Sequence, residues 1–330
     1  MTMPAFLAVD AGGTSTRAVL VEPDGTCLGY GVAGGGNPIS AGPERAASAV
    51  VAAVRSAASA ARRSPNDVGG GILAMAGSGV HTDTAWVSNA LTAAGFVGDI
   101  ELRSDLLATF FAGTYEPEGY ALVAGTGAAG IRVKNGVVDR AADGLGWLLA
   151  DVGSGFWIGH RVVREAVAAL DGRAKPTALT TLLVEALELE TESGTDADGR
   201  PGVLRLVTDA VYRMRPVELS RFAPLAFRAA GDDAARAILT DAAAALARLF
   251  GAVASPDLTG PLVLGGSILA QESVVADAVV TAASASGLVS ETRQVPDGVI
   301  GAAVLTLRSA GVDVDADVFE RIRDSLGRLR

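Results

Sequence analysis

The stretch AFLAVDAGGTSTRAVLVEPDGTCLGYGVAGGGN, residues 5–37, decides the fold. Ala5–Asp10 is a short apolar run that ends in an acid, and Gly12-Gly13 follow as a turn. Thr16–Val21 is a second β-rich run, Pro23-Asp24-Gly25 a second turn and Cys27–Val32 a third run. Short apolar runs joined by Gly/Pro/Asp turns predict an antiparallel meander of three strands.

Working outward, Pro43–Arg63 is Ala-rich, with an apolar stripe through Ala46, Val50 and Val54, and predicts a helix. Gly71–Met75 predicts a strand, Asp83–Ala94 a helix, Ile100–Arg103 a strand and Leu106–Phe111 the start of a helix. The same grammar restarts at Tyr120. Tyr120–Ala124, Gly130–Val133 and Val137–Arg140 predict three strands, separated by Gly125-Thr126-Gly127 and by the hairpin signal Asn135-Gly136. A long helical region runs from Trp157 to Val253, broken at Gly172–Pro176, Ser193–Pro201 and Pro216, with Thr191–Gly202 read as a surface loop. Pro261–Leu264 predicts a strand, and Glu272–Ser286, Gly298–Ser309 and Asp317–Leu329 predict helices. Two halves thus open on one topology, an α/β duplication whose cleft is a natural ligand site.

Composition narrows the function. Of 330 residues, 49% are hydrophobic and 19% charged, enough for a large core and against wholesale disorder. The net charge of −10 argues against sequence-independent nucleic-acid binding and against a polybasic membrane anchor. No apolar run reaches the roughly 18 residues of a spanning helix, and the N-terminus lacks a basic leader pattern, so a cytoplasmic protein is expected. Cys27 is the one cysteine, and His81 and His160 are the two histidines. This chain alone therefore cannot build a Cys-rich metal site, and its histidines read as surface or helix filler. No G-x-S-x-G elbow is present.

The chemistry-bearing motifs each carry a bland alternative. Asp10-Ala11-Gly12-Gly13-Thr14 offers a tight turn with exposed N–H groups and a hydroxyl for an anion, and Asp10 at the strand end suits Mg2+ held through water. The alternative is a plain Gly-Gly hairpin. Gly125-Thr126-Gly127 holds the equivalent place in the second half, and two such turns facing each other would grip a nucleoside triphosphate from both sides. Gly265-Gly266-Ser267 lets a base or ribose lie against backbone, or is a turn with Ser267 as a helix cap. Asp105, in Arg103-Ser104-Asp105-Leu106, can take a proton from an attacking hydroxyl, or Ser104 and Asp105 simply cap a helix. The segment Gly144–Gly159 combines five glycines, two tryptophans and Asp151, as a sugar pocket does, or is a packed loop with Trp147 and Trp157 in the core. Asn37, after Gly34-Gly35-Gly36, suits a sugar hydroxyl, or sits in a turn before a helix.

Taken together, the D-x-G-G-T, S-D-x-x-A, G-T-G and D-x-G-S-G-x-W-I-G patterns resemble the N-acetylglucosamine kinase family, from Val9 to about Ala302. That family is part of the actin-like ATPases that include the BadF/BadG/BcrA/BcrD type. The resemblance implies an α/β, two-lobed ribonuclease-H-like (actin-like ATPase) fold with an interlobe cleft. Residues 1–116 would form the first lobe and 117–313 the larger second lobe with a helical insertion, with helix 314–330 packing back on the first. It implies ATP and Mg2+ as cofactors, a small-molecule sugar substrate and a homodimer. Gly12, Gly13 and Thr14 would hold phosphate with Asp10 toward the metal, Thr126 and Gly127 would form the second phosphate turn, and Gly265, Gly266 and Ser267 would line the adenosine. Asp105 would be the catalytic base on the sugar 6-hydroxyl. Asn37 and Asp151 would bind ring hydroxyls, with Ala128, Ala129 and the backbone of Gly144, Leu145 and Gly146.

Departures from the family pattern bear on the sugar. Ser15 stands where the family often has a basic residue, Leu145 replaces a Trp, and Val152 replaces an acid. The leading expectation is phosphorylation of N-acetylglucosamine to its 6-phosphate, with a glucosamine or other hexose kinase as the alternative. An ATP-driven activator of a dehydratase or reductase needs two Cys per subunit for its cluster, and Cys27 is alone. A zinc-containing ROK-type kinase is disfavoured on the same ground. A non-catalytic sugar sensor would use the same cleft without releasing ADP.

Overall fold

The computed structural model describes residues 5–75, 85–190, 194–195 and 199–330. The strands are β1 (Ala5–Ala11), β2 (Thr16–Val21), β3 (Cys27–Ala33), β4 (Val68–Met75), β5 (Ile100–Ser104), β6 (Gly119–Ala124), β7 (Ala128–Lys134), β8 (Val137–Asp143), β9 (Gly260–Gly265) and β10 (Val289–Gln294). The helices are α1 (Pro38–Ala41), α2 (Pro43–Ala60), α3 (Ala85–Ala93), α4 (Asp105–Gly113), α5 (Gly155–Leu170), α6 (Ala178–Ala186), α7 (Gly202–Tyr212), α8 (Ala223–Arg228), α9 (Asp233–Val253), α10 (Val274–Ser284), α11 (Val299–Ser309) and α12 (Ala316–Gly327).

The duplicated topology is present. One sheet runs β3-β2-β1-β4-β5 and the other β8-β7-β6-β9-β10, the same order element for element. In each, three antiparallel strands are followed by two parallel ones. The Asn135-Gly136 hairpin takes φ values of 52° and 76°, the left-handed pair that a two-residue turn between twisted strands demands. Strand β4 starts at Val68, three residues earlier than expected. A Cβ at Gly71 would lie 1.7 Å from the Leu7 carbonyl oxygen, so only glycine lets β4 approach β1 there.

Strand β10 is absent from the sequence reading. Its sequence VSETRQ has no apolar alternation because it is an edge strand, paired only with β9. The long helical region resolves into α5 to α9, with a 3-10 turn at Pro216–Phe222 before α8. Helix α2 ends at Ala60, short of Arg63, where Arg62 turns to φ 52°. Asp83 and Thr84 of the expected Asp83–Ala94 helix lie outside the described residues, as do His81 and 191–193 and 196–198 of the Thr191–Gly202 loop.

Strand alternation sorts the core into layers. Leu7, Val9 and Ala11 of β1 face α2 and α3 on the outside of the first sheet, whereas Ala8 faces α4, α11 and α12 between the sheets. Asp10 shares the parity of Ala8 and therefore points into the layer between the sheets. On the second sheet, Tyr120, Leu122 and Ala124 face the helical region, and Ala121 faces α4 and α11. Helix α11 crosses α4 in backbone contact: a Cβ at Gly301 would sit 1.7 Å from the Ala108 carbonyl oxygen. Gly301→Val is expected to cost at least about 1–3 kcal/mol, read as a lower midpoint of denaturant unfolding. An unchanged midpoint would show that the two helices can part without loss.

Candidate active site

The first glycine turn closes by the Gly12 N–H donating to the Ser15 carbonyl at 2.9 Å. The Gly34–Asn37 segment is fastened onto it. The N–H groups of Gly36 and Asn37 both donate to the Gly12 carbonyl, at 3.0 and 3.2 Å, and the buried Thr16 hydroxyl donates to the Gly34 carbonyl at 2.8 Å. A side chain at Gly36 would collide with the Thr16 hydroxyl, at 2.3 Å. The glycine run is thus a close fit that seats Asn37 beside the turn.

Asp10 accepts the Gly298 N–H at 2.9 Å through Oδ2. Burial pushes its carboxyl up to about 7; the Gly298 N–H works against this, Asp297 and Asp105 add to it, and Arg17 opposes it. Asp105 is the first residue of α4, and Ser104 is the N-cap, with Oγ accepting the Leu106 N–H. Asp105 also accepts from Leu106, at 2.9 Å, through its own carboxylate. Burial pushes Asp105 up to about 6, with that N–H opposing. Capping and chemistry are compatible, because Ser104 caps while Asp105 projects toward Asp10, close enough for the two charges to repel.

The second glycine turn is held by three elements. The Gly125 N–H donates to the Gly127 carbonyl, and the N–H groups of Gly155 and Phe156 at the start of α5 donate to the carbonyls of Gly125 and Thr126, at 2.7 and 3.2 Å. Ile268 donates to the Ala124 carbonyl at 2.9 Å, which lays the Gly265-Gly266-Ser267 turn over the same strand end. Gly266 has φ 79°, and a Cβ there would meet the Ala124 carbonyl at 2.5 Å, so glycine is required on both counts. Ser267 caps no helix here; α10 begins at Val274, capped by Ser273.

A cavity of about 530 Å3 joins these turns. Thr14 of the first, Gly125 and Thr126 of the second and Ser267 of the third line it together. Gly155 of the Gly144–Gly159 segment joins them, and the rest of the wall comes from residues the sequence reading did not single out, among them Ser220, Arg221, Phe227, Arg228 and Gln271. Ser220 and Arg221 lie on the 3-10 turn, Phe227 and Arg228 on α8 and Gln271 on the stretch after β9, and nothing in their local pattern signals that these segments meet at the glycine turns. Gly12, Gly13, Gly127, Gly265 and Gly266 shape the turns without lining the cavity, Gly265 by packing on Thr109 of α4.

Of the expected sugar-side residues, Asn37 sits beside the first turn and Asp105 faces Asp10, whereas Ala128, Ala129, Gly144 and Asp151 form a separate cluster. Asp151 is buried, with φ 60°, and accepts the Ala128 N–H at 3.1 Å through Oδ1. A Cβ on Gly127 would lie 2.9 Å from its Oδ2, so this carboxylate packs directly under the second turn. Burial pushes the Asp151 carboxyl up, Ala128 lowers it and Asp143 raises it. Asp143 Oδ1 in turn accepts the N–H groups of Gly144 and Asp151, both at 2.8 Å. Gly144 donates to the Ala128 carbonyl, and Ala129 is buried beside it. Gly144 and Gly146 have φ 72° and 88°, while Leu145 is 69% exposed and Trp147 42%. The Trp147 ring lies 5.4 Å from Phe156, tilted by 55°, and Phe156 stacks on His160. Trp157 is half-buried against the core, with Arg161 over its ring.

A magnesium ion fits this donor set. Asp10 keeps Oδ1 clear of the Gly298 N–H and faces a second carboxylate whose repulsion a cation would relieve. Among the described residues no cluster of three or more His, Cys, Asp or Glu exists, so those residues offer no all-protein cage. One carboxylate completed by water and substrate phosphates is the arrangement Mg2+ prefers. Cys27 is buried, donates to the Ile322 carbonyl, and has its thiol pushed up to about 11 by burial, which leaves it unreactive. No helix among the described residues is long and apolar enough to cross a membrane.

Known proteins share this architecture. An N-acetyl-D-glucosamine kinase of Dictyostelium discoideum is 27% identical over 84% of this chain and 89% of its own. A glucosamine kinase of Vibrio cholerae is 30% identical over 55% of this chain and 61% of its own. A Chromobacterium violaceum structure, provisionally named an N-acetylglucosamine kinase, is 25% identical with a TM-score of 0.71, over 92% of this chain and 99% of its own. The fold is that of the actin-like ATPase sugar kinases. Residues 7–306 match the BadF/BadG/BcrA/BcrD ATPase family, and the chain belongs to it.

Proposed function

We propose that this protein transfers the γ-phosphoryl group of ATP to the 6-hydroxyl of an amino sugar, with N-acetylglucosamine as the foremost substrate. The carrying observation is the meeting of the glycine turns on one cavity, with Thr14, Thr126 and Ser267 on its wall. Phosphoryl transfer asks mainly for positioning and charge stabilisation, which turns rich in N–H donors provide. In this reading the N–H groups and hydroxyls of Thr14 and Thr126 hold the phosphates. Gly12, Gly13 and Gly127 shape the turns, and Gly265, Gly266 and Ser267 lie along the adenosine, with Ser220, Arg221, Phe227, Arg228 and Gln271 beside it. Mg2+, when bound, neutralises charge on the phosphates, and Asp10 holds it through water. Asp105 orients the sugar hydroxyl and takes its proton as the oxygen attacks phosphorus. Asn37, Ala128, Ala129, Gly144, Leu145, Gly146 and Asp151 form the sugar side, Asp151 acting through the second turn as well.

A glucosamine kinase is the second reading, supported by the Vibrio cholerae relative and by Leu145 and Val152 in place of a Trp and an acid. One assay separates the two. ADP release is measured with Mg-ATP against N-acetylglucosamine, glucosamine, glucose, N-acetylmannosamine and no sugar. Sugar-dependent release with N-acetylglucosamine as the best substrate is the expected result. Sugar-independent release, or none at all, would overturn the kinase reading.

A further inference from the structure

The segment Val295-Pro296-Asp297-Gly298 carries the chain from one sheet to the other. Strand β10 ends at Gln294 in the second sheet, and the Val295 N–H still donates to the Leu264 carbonyl of β9, at 2.9 Å. One residue after Asp297, the Gly298 N–H is already on Asp10 of the first sheet, and α11 follows, packed on β1 and α4. Asp297 lies at the point where this crossing reaches the candidate active site.

Its carboxylate is almost fully buried and held by two arginines. The Arg17 Nε is 3.2 Å from Oδ2, and Arg330 Nη2 donates to Oδ1 and Oδ2 at 2.7 and 2.8 Å. Oδ1 also accepts the Val299 N–H at 3.2 Å, at the start of α11. Arg17 lies directly opposite Asp10 in the β1–β2 pair, and its Nη1 donates to the Ser15 Oγ at 2.7 Å, in the first glycine turn. The guanidinium of Arg17 therefore joins the phosphate turn to the crossing segment. Arg330 lies over Tyr30 of β3, on the far side of Asp297.

We infer that Asp297 is a positioning residue, a clasp that ties the interlobe crossing to Asp10 and to the first phosphate turn. A buried ion pair costs desolvation and contributes little net stability compared with a well-packed apolar pair. Its use here is orientation. With Asp297 in place, the Gly298 N–H points at Asp10 and Arg17 points at Ser15, so any relative movement of the sheets is referred to the atoms that hold phosphate and metal. Asp297 itself touches no reacting atom. Both effects follow from charge and direction, so the near-isosteric Asn removes them without leaving a cavity.

The positioning role rests on the kinase reading; the clasp itself does not, and two readouts keep them apart. Asp297→Asn and Arg330→Met are made singly and together. Amide hydrogen exchange is followed in the unliganded protein over residues 295–301, and kcat and KM are measured with Mg-ATP and the best sugar. Asp297→Asn is expected to speed exchange in that segment about tenfold and to lower kcat by roughly 10–100-fold, the usual cost of losing an outer partner of a metal site. The KM for sugar should stay within about twofold. The double variant should be no worse than Asp297→Asn alone, because Arg330 acts through that carboxylate. A folded Asp297→Asn protein with wild-type kcat, or additive losses in the double variant, would overturn the positioning role. A wild-type protein inactive on every sugar would overturn the kinase reading instead. Exchange then judges the clasp alone, and unchanged protection in Asp297→Asn overturns it.

Discussion

Asp105→Asn is expected to fold normally and to lose roughly 10²–10⁴-fold in kcat, the range over which a general base acts. The fold should survive because the cap of α4 belongs to Ser104, and an Asn at the first helical position keeps an oxygen for the Leu106 N–H. In the proposed mechanism, what is lost is the acceptor for the hydroxyl proton. Burial also sets the pH at which that acceptor works. With Asp105 pushed up to about 6, kcat/KM of the wild type should fall tenfold per unit below that value, as the protonated carboxyl can no longer accept. In Asp105→Asn the limb assigned to this group should vanish. Near-normal turnover, or an unchanged acid limb in the variant, would remove Asp105 from the mechanism.

Asp10→Asn should cost activity while stabilising the protein. The activity loss expected is roughly 10–100-fold if, as proposed, Asp10 is an outer partner that would meet the metal through water. The stability change follows from linkage. The folded carboxyl sits at about 7, above its ordinary 3.8, so ionisation is harder in the folded state than in the unfolded one. Stability therefore falls as pH rises from about 4 to about 7, and the full cost is present above that window. Without divalent cation, Asp10→Asn should exceed the wild type by up to about 4 kcal/mol at pH 8 and match it below pH 4. Asn retains the oxygen that accepts the Gly298 N–H, so the comparison isolates charge. Denaturant melts at the two pH values test this. A variant less stable than the wild type at pH 8 would mean that the buried charge is already compensated within the protein. The two outcomes together would describe a site that gives up stability for function.

The three glycine turns were legible because their chemistry is local. A turn that needs left-handed φ or a Cβ-free approach must be written in glycine, and Gly266 and Gly36 show both reasons. The duplicated order of strands was legible because apolar runs and turn residues repeat it in both halves. Even the Asn135-Gly136 hairpin was specified by two residues. Strand β10 was not, since an edge strand with exposed positions carries no alternation. Asp151 shows a middle case. Its place in a glycine-rich loop marked it, but its carboxylate turned out to support the Ala128 N–H and underlie Gly127.

The sequence by itself therefore determined the alternating α/β pattern, the two opening meanders and the position of each glycine turn. Those depend on contacts a few residues apart. Tertiary structure alone decided what the turns face. Arg221 and Phe227 reach the cavity only because the helical region folds back over β6 and β9, and Gln271 because the stretch after β9 turns over the end of β6. Asp10 meets Asp105 only because strand parity turns it inward, and it meets Gly298 only because the crossing from β10 returns beneath the first sheet. Separations of 95 and 288 residues are closed by packing of α4 and α11 between the sheets, and no local pattern encodes a contact whose partners are chosen by the shape of the core.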